Sequence, residues 1–441
     1  MGQCRRTGQR SEKAHRLGPD ADFPMSATFK SRHECAACGS QDLKTIIDFG
    51  PMPLAGCFPK ESELGTVESL PLALLYCPAC KLVQSNGTVD ADFLFRDYRY
   101  LSSIGLSEYF ADVATHLKEK YALSPQHRLI EIGSNDGVFL VPMTVLGCDI
   151  IGFEPSTNVS AIARERGCKV INDYFCIESA RQNFSEGSID LVFAANCFAH
   201  IDQINDIVQA MRYVLKPGGH AVIEVHYVRN LVDELQYDFV YHEHAYYYSL
   251  TSLANLFSSN GMTLTEYEEI PVHSGSIRVT VCNQSSKLPD SIQARLDEEQ
   301  DSVADWACYA DFAKKVHRHK DELNSLLKGL KSDGHRIAGY GASGRANVLC
   351  NYCDIGLEIV DYIVDESPER FDRYIPILEV PIRTKEYFDQ DENITFVLIF
   401  AWNFSKMIMD KLEDRNLKYI IPFPKPRIVE RIVDIDDPNS L

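Results

Sequence analysis

The chain has 441 residues, of which 45% are hydrophobic and 24% charged, and its net charge is −19. This length favours two or three domains, and the composition is that of a globular protein. The acidic balance argues against a nucleic-acid binder, which normally presents a basic face to phosphates. The sequence contains no run of about 18 uncharged apolar residues, so we do not expect a membrane span. We therefore expect a cytoplasmic monomer or homodimer whose partner is neither nucleic acid nor a membrane.

Residues 1–27 are polar and carry arginines that no apolar stretch follows. This pattern predicts a disordered extension and not a secretory signal, with a transit peptide as the alternative. Fourteen cysteines in a chain without such a signal indicate thiols and a metal site, not disulfides.

Two CxxC pairs mark residues 28–95. Cys35 and Cys38 form the first pair, and Cys77 and Cys80 form the second. Structural zinc prefers four thiolates in a tetrahedron, which two such turns can supply. A redox pair is the alternative, but a redox CxxC usually opens a helix in a thioredoxin-like unit. The spacing therefore predicts a structural zinc ion with no coordination position open for catalysis.

Short apolar runs alternate with helical periods over residues 96–285. The runs are HRLIEIGS, CDIIGFEP, SIDLVFAANCF and GGHAVIEVH. This alternation predicts a parallel sheet flanked by helices. Open α/β sheets bind their ligands at the carboxyl ends of the strands.

The first of these strands runs into the glycine turn LIEIGSNDG, residues 129–137. Gly133 and Gly137 let the backbone approach a ligand closely, and Glu131 lies just before the turn. The next strand ends in Glu154, which can accept hydrogen bonds from both hydroxyls of a ribose. The turn lacks the three glycines of a dinucleotide pyrophosphate site, which suits S-adenosylmethionine, a ligand without phosphates.

The following strands extend this pattern. Asn172 and Asp173 follow a third strand and could reach an adenine, while LKPGG at residues 215–219 leads into a fifth strand. Asn135 and Asn196 complete the predicted donor site. A glycine turn alone is weak evidence, but the turn, the acidic strand end and LKPGG together predict a class I methyltransferase.

The last part of the chain has two patterns. Residues 286–332 lack strand runs, and apolar residues recur every three or four positions from Trp306 to Leu330, which predicts a helical linker. Residues 333–441 form a second α/β unit that begins with RIAGYGASG.

The glycines of this unit, Gly339, Gly341 and Gly344, fit a GxGxxG turn, and Asp361 and Asp365 follow about 20 residues on. Such a turn is typical of a dinucleotide site, so an NAD-dependent oxidoreductase is an alternative function. The turn equally suits the diphosphate of a nucleotide-linked sugar, because a helix N-terminus binds either pyrophosphate.

The segment VYHEHAYYYSL, Val240–Leu250, concentrates two histidines, a glutamate and four tyrosines. A neutral histidine can remove a proton from a carbon beside a ketone, and a tyrosine can donate to the resulting enolate oxygen. In an extended segment Glu243 and His244 would lie on opposite faces, so they share a pocket only if the chain turns there.

Three other interpretations of this segment stay open. His242 and His244 could bind a metal, although no further ligand follows at a known spacing. The tyrosines Tyr246, Tyr247 and Tyr248 could be packing residues at a polar rim. The whole chain could also be a non-catalytic scaffold with a methyltransferase-like fold.

Several segments in one order resemble the sugar C-methyltransferases that act on nucleotide-linked 4-keto deoxysugars in antibiotic and surface-glycan pathways. The segments are DFGPMPLAGCF, FRDYRYLSS, EIGSNDG, FEPS, YHEHAYYYS, HSGSIR, GYGASGRANVLCNYC and IFAWNF. The resemblance spans residues 33–440. It implies an α/β protein with a zinc-binding N-terminal domain, a central class I methyltransferase domain with a Rossmann-like parallel sheet, and a C-terminal Rossmann-like domain that binds the nucleotide sugar.

The resemblance also implies methyl transfer from S-adenosylmethionine to the carbon beside the ketone, carbon 3, with His244 as the base. Glu243 and Tyr241 complete the catalytic segment, and Tyr98 and Tyr100 close the site. The implied substrate contacts are Ser276, Arg278, Gly339, Gly341, Ser343, Arg345, Asn347, Trp402 and Asn403. The chain departs from the family where HSGSIR lacks a glycine pair and where SGRAN replaces a lysine–glycine pair, which leaves the sugar and its nucleotide open.

Overall fold

A computed structural model describes residues 28–95, 101–284, 286–413 and 415–430. Tyr98 and Tyr100 lie outside these residues. No helix in the described part of the chain combines the length and the apolar composition needed to cross a membrane.

The N-terminal unit consists of small antiparallel sheets. Its elements are β1 (Phe29–Ser31), β2 (Lys44–Pro53), β3 (Ser69–Tyr76), β4 (Val83–Ser85), β5 (Gly87–Val89) and the short helix α1 (Ala91–Phe95). β2, β3 and β4 form a meander, and β1 pairs with β5. The second half of β3, Leu72–Tyr76, is buried at every residue because both of its faces are covered.

The central unit is a seven-stranded sheet with helices on both faces. Its elements are α2 (Ser103–Lys120), β6 (Arg128–Ile132), α3 (Leu140–Val145), β7 (Asp149–Phe153), α4 (Thr157–Glu165), β8 (Val170–Ile171), α5 (Ile177–Asn183), β9 (Ile189–Ala195), α6 (Ile204–Val214), β10 (Leu215–His226), α7 (Val228–Asp233), β11 (Tyr246–Tyr247), α8 (Leu250–Ser259), β12 (Thr263–Ile270) and β13 (Ser276–Cys282).

The strand order of this sheet is β12-β13-β10-β9-β6-β7-β8, whereas β11 lies outside it and pairs with β4. The strands from β10 to β8 are parallel, and β13 is antiparallel to both of its neighbours. The inner strands are nearly continuous apolar runs, as expected for parallel strands that helices cover on both faces. The predicted α/β methyltransferase sheet is confirmed, and its carboxyl edge gathers the ends of β6, β7, β8 and β9.

The remaining elements are α9 (Asp290–Gln300), α10 (Trp306–Ser332), β14 (Ile337–Tyr340), α11 (Gly344–Cys353), β15 (Ile363–Val364), β16 (Tyr374–Ile375), β17 (Val380–Arg383), α12 (Lys385–Gln390), β18 (Phe396–Ile399), α13 (Ser405–Lys411), β19 (Lys418–Ile421) and β20 (Arg427–Val429). The C-terminal sheet has the order β16-β17-β15-β14-β18-β19-β20, and its five inner strands, from β17 to β19, are parallel.

One hydrophobic core joins the three units. It contains Phe49 of β2, Phe239 from the segment before β11, Val316 of α10 and Leu349 of α11. The apolar positions that recur along α10 all face this core, which is why one long helix forms there. Because this core is shared, the side chains between the units are held in fixed relative positions.

Candidate active site

The segment Val240–Leu250 forms part of the N-terminal sheet. Its strand β11 pairs with β4, and the Ala245 carbonyl accepts a hydrogen bond from the Ser85 N–H. Just before β11 the chain turns, because the His244 N–H donates to the Tyr241 carbonyl at 2.9 Å. This turn is the one that Glu243 and His244 require to serve a single pocket.

His244 is held as a neutral imidazole. Its Nδ1 lies 3.0 Å from the Phe239 carbonyl, which can only accept, so Nδ1 carries the proton and Nε2 keeps its lone pair. Burial lowers the pKa of His244 well below its usual value, and the nearby His200 lowers it further. The Tyr241 ring centroid is 4.0 Å from the imidazole. Nε2 of His244 can thus accept a proton next to the phenol ring of Tyr241.

Glu243 connects the segment to the N-terminal unit. Its Oε1 accepts a hydrogen bond from the Gly56 N–H at 3.1 Å, whereas its Oε2 is sealed from solvent without a partner. Burial raises the pKa of Glu243. A buried carboxyl oxygen without a partner is costly, which suits a group that meets its partner only when a ligand binds.

His200 is a residue that the sequence reasoning missed. It lies in the 3-10 turn Phe198–His200 after β9, and its Nδ1 donates to the Glu243 carbonyl at 2.7 Å. Its ring centroid is 4.9 Å from that of His244. The available signal was its position just past the carboxyl end of the fourth strand, in the run AANCFAH.

The tyrosines after the turn are packing residues. Tyr246, Tyr247 and Tyr248 are all buried, and each hydroxyl donates to a backbone carbonyl. His242 is buried too, with its Nε2 3.2 Å from the Leu70 carbonyl, whereas His244 bonds to Phe239. The two histidines therefore face different segments, which does not fit the metal interpretation.

The predicted donor residues lie along the carboxyl edge of the central sheet. Three buried oxygen atoms there have no hydrogen-bond partner: Glu131 Oε2, Ser134 Oγ and Asp136 Oδ1. Burial raises the pKa of Glu131 well above its usual value, and the charges of Glu154 and Asp136 add to this. A positively charged ammonium is the partner that such a group lacks, so the edge fits the amino-acid tail of S-adenosylmethionine.

Glu154 organises the glycine turn from the end of β7. Its carboxylate accepts the Asn135 N–H at 2.9 Å and the Ser156 N–H at 2.8 Å. Asn172 donates to the Glu154 carbonyl at 2.8 Å, and the Asp173 carboxylate accepts the Tyr174 N–H. These residues lie together as predicted, but most of their contacts shape the backbone around the site.

The two turn glycines are required for a reason other than the predicted one. Gly133 has φ +69°, and a Cβ there would lie 2.7 Å from Cys197 Cβ. Gly137 has φ +83°, and its Cβ would lie 3.2 Å from Ala163 Cβ. Packing and the left-handed backbone therefore demand glycine at both positions. Asn196 also has a positive φ, and its N–H donates to the Glu224 carbonyl.

Comparison with known proteins agrees with this geometry. Three family models match successive parts of the chain: "Putative zinc binding domain" at residues 35–95, "Methyltransferase domain" at residues 105–267 and "C-methyltransferase C-terminal domain" at residues 271–424. The chain is 28% identical to C-methyltransferase NovU of Streptomyces niveus over 406 residues, which cover 90% of this chain and 96% of that protein. These matches support an S-adenosylmethionine-dependent C-methyltransferase.

Shorter likenesses accompany these matches. Sterol 4-C-methyltransferase strm-1 of Caenorhabditis elegans is 24% identical over 122 residues, 27% of this chain and 36% of that protein. The solved structure of geranyl diphosphate C-methyltransferase from Streptomyces coelicolor A3(2) is matched with a TM-score of 0.32 and 10% identity, over 39% of this chain and 76% of that one. The matches to methyltransferase models favour a methyltransferase over the NAD-dependent oxidoreductase and the non-catalytic scaffold.

The four cysteines of this C-methyltransferase form one cluster. The sulfur atoms of Cys35, Cys38, Cys77 and Cys80 all lie within 4.8 Å of one another, with a Cys35–Cys80 distance of 3.4 Å and a Cys38–Cys77 distance of 3.6 Å. Tetrahedral thiolates around zinc are about 3.8 Å apart, as metal–sulfur bonds of about 2.3 Å require. The cluster therefore fits a metal ion of this type.

The predicted substrate residues Arg345 and Trp402 of the C-terminal unit both bind one carboxylate of the central unit. The buried Asp238 carboxylate accepts two hydrogen bonds from the Arg345 guanidinium, at 2.8 and 3.0 Å, and one from Trp402 Nε1 at 3.0 Å. The guanidinium carbon lies 4.4 Å from the Phe239 ring centroid and 4.6 Å from that of Trp402. The Arg345 charge is thus compensated within the protein, beside Phe239, whose carbonyl binds His244.

Three other predicted substrate residues are already bound within the protein, contrary to the expectation. Arg278 of β13 pairs with Glu224 and Glu268. Ser276 donates to the Val272 carbonyl, and the Ser343 hydroxyl caps α11. Asn403 is exposed. The guanidinium of Arg278 serves the sheet and not the catalytic segment.

The glycine turn of the C-terminal sheet is closely covered. A Cβ on Gly339 would meet the Phe400 ring at 2.6 Å, and a Cβ on Gly341 would meet Ala401 Cβ at 2.7 Å. Gly344 faces Ala55 of the N-terminal unit. The Ala342 N–H donates to the carboxylate of Asp365, which directly follows β15. Packing therefore accounts for these glycines, which the prediction had placed at a diphosphate.

Asn347 of α11 also differs from its predicted role. Its side-chain nitrogen donates to the Leu54, Ala55 and Cys57 carbonyls at 2.9 to 3.4 Å. The same loop supplies the Gly56 N–H that binds Glu243. Asn347 thus holds the loop that holds a predicted catalytic residue.

Proposed function

We propose that the enzyme methylates the carbon beside the ketone, carbon 3, of a nucleotide-linked 4-keto deoxysugar. The observation that carries this proposal is the state of His244, a neutral imidazole whose Nδ1 proton is fixed on the Phe239 carbonyl. The lone pair on Nε2 is then available for a weak carbon acid. The resemblance of the sequence to sugar C-methyltransferases supports the choice of substrate.

Proton removal is assigned to His244. The proton moves from carbon 3 to Nε2, and the electron pair moves onto the ketone oxygen as an enolate. The Tyr241 hydroxyl, whose ring lies 4.0 Å from the imidazole, donates a hydrogen bond to that oxygen. Two residues stabilise the charged imidazole that forms. Glu243 does so through its unpartnered Oε2, and His200 fixes the Glu243 carbonyl.

The carboxyl edge of the central sheet holds the methyl donor. S-adenosylmethionine, when bound, supplies an electrophilic methyl group on a sulfonium. Glu131 would face its ammonium and Glu154 its ribose hydroxyls, with Asn172 and Asp173 near the adenine. The hydrogen bond from the 3-10 turn of His200 to the Glu243 carbonyl links this edge to the segment of His244. This link supports our placing the donor beside the enolate.

The two outer units support this reaction. In our proposal the Cys35, Cys38, Cys77 and Cys80 cluster binds one structural zinc ion, and the C-terminal unit binds the nucleotide. Because four cysteines leave no coordination position open, the metal stabilises the sheet that β11 joins and takes no part in the chemistry.

The test combines ligand identification with turnover. Mass spectrometry of the native protein should find S-adenosylmethionine or its demethylated product. Nucleotide-linked 4-keto deoxysugars with methyl-labelled donor should then yield a product whose label NMR locates on carbon 3. Co-purified NAD, or no labelled product from any such sugar, would overturn the proposal.

A further inference from the structure

His226 lies where the donor edge meets the catalytic segment. It is the last residue of β10, two positions after Glu224, whose carbonyl accepts the Asn196 N–H at the end of the neighbouring strand. Its ring stacks on Phe239, with centroids 4.3 Å apart and planes 9° apart. Phe239 supplies the carbonyl that fixes His244. His226 is therefore one aromatic ring away from the base.

The hydrogen-bond network fixes the tautomer of His226. The Gln236 side-chain nitrogen donates to the Glu234 carboxylate at 2.6 Å and to the Ser274 carbonyl at 2.9 Å. Its Oε1 therefore faces His226 Nε2, 2.9 Å away, and can only accept. Nε2 carries the proton, so Nδ1 of His226 is left with a lone pair.

That Nδ1 atom is sealed from solvent and has no hydrogen-bond partner. Burial lowers the pKa of His226 to about 3, and the Arg345 guanidinium contributes in the same direction. The imidazole is thus neutral at physiological pH. An unpartnered ring nitrogen is not in itself a site, since Nδ1 of His220, in the middle of β10, is also unpartnered. His220 lies beside Tyr121, whereas His226 stacks on Phe239, whose carbonyl binds His244.

A buried, neutral nitrogen with a lone pair selects one kind of group. It can accept from a hydroxyl, whereas a ketone, phosphate or carboxylate oxygen offers it no hydrogen. The neighbouring Arg345 charge disfavours a substrate ammonium at the same place. We propose that His226 binds a hydroxyl group of the substrate, so that the enzyme distinguishes a hydroxylated sugar from its deoxy analogue. This inference rests on the proposed sugar substrate and adds a specificity-determining residue to it.

The test compares sugars that differ by one hydroxyl. The panel contains the hydroxylated 4-keto sugar and deoxy analogues that each lack one of its hydroxyls. For one of these analogues, the wild-type kcat/KM should be ~10-fold or more below that for the hydroxylated sugar. His226→Leu should bring this ratio close to one, mainly by slowing the hydroxylated substrate. His220→Leu, which removes the other unpartnered histidine of β10, should leave the ratio unchanged.

Calorimetric affinity for S-adenosylmethionine checks that the His226→Leu protein is folded. If it is not, His226→Phe, which keeps a ring against Phe239, replaces it in the same comparison. An unchanged ratio in the folded variant would overturn the role of His226 while the proposed function stands. Failure of the wild type to methylate any sugar in the panel would overturn the proposed function, and the role of His226 with it.

Discussion

The proposed role of His244 as the base leads to a specific prediction for His244→Asn. Asparagine can still donate a hydrogen bond towards the Phe239 carbonyl, now 3.0 Å from Nδ1, but it provides no lone pair of comparable basicity. The substitution also shortens a side chain that packs 4.0 Å from the Tyr241 ring centroid. The pocket should persist without its base.

The size of the effect follows from the chemistry that is lost. A positioned general base contributes about 100-fold to 10,000-fold, so methylation should slow by at least about 100-fold. This corresponds to a rise of about 3 kcal/mol or more in the activation barrier. Affinity for S-adenosylmethionine should stay nearly unchanged, because the predicted donor residues lie on the strand ends of the central sheet and His244 lies on the segment before β11.

Deuterium exchange at the carbon beside the ketone, followed by NMR, separates proton removal from methyl transfer. His244→Asn should lose both exchange and methylation. His242→Asn is the matched control, because the neighbouring His242 is buried and bonds to the Leu70 carbonyl on the other side of the turn. The control should cost stability but leave the exchange rate of the folded protein unchanged. Exchange at the wild-type rate in His244→Asn would show that another group, such as Glu243, is the base.

Three further predictions concern the base, the donor site and the metal cluster. Burial holds the pKa of His244 well below 6.5, so its active neutral form persists as the pH falls. The acid limb of the pH profile of kcat/KM should therefore lie below pH 6.5. An acid limb at or above pH 6.5 would contradict this. Glu154→Ala should weaken S-adenosylmethionine binding by about 1–3 kcal/mol in calorimetry, whereas Asp149→Ala at the exposed start of the same strand should not. Cys77→Ser should lose the bound zinc and lower the melting temperature, whereas Cys282→Ser, outside the cluster, should retain about one zinc per chain in elemental analysis.

The sequence predicted those parts of the molecule that depend on local patterns. Apolar runs identified the strands of the central sheet, and paired thiols identified the cysteine cluster. Each apolar run and each CxxC pair spans only a few residues, so it can be recognised locally. The regular spacing of apolar residues from Trp306 to Leu330 likewise predicted helix, and the structure has the single helix α10 there.

The parts that the sequence did not predict depend on contacts between distant residues. His200 meets Glu243 across 43 positions, and Asp238 meets Arg345 across 107. No local pattern marks such a pair, so Arg345 was assigned to a ligand when its partner is a carboxylate of the same chain. Glycine was similarly ambiguous: Gly341 suggested a phosphate, but the neighbour that excludes a side chain there is Ala401.

These long-range contacts explain why the catalytic segment needs three units. Glu243 is bound by Gly56, the loop around Gly56 is held by Asn347 of α11, and β11 is a strand of the N-terminal sheet. The N-terminal unit is small, and a unit of this size buries too little apolar surface to hold a loop firmly without a metal or a neighbouring domain. The shared core provides the neighbouring domain, and the cysteine cluster would provide the metal through the proposed zinc ion. In the proposed mechanism, the position of the base is therefore set by the assembly of the units, and the carboxyl edge of the central sheet alone would place only the donor.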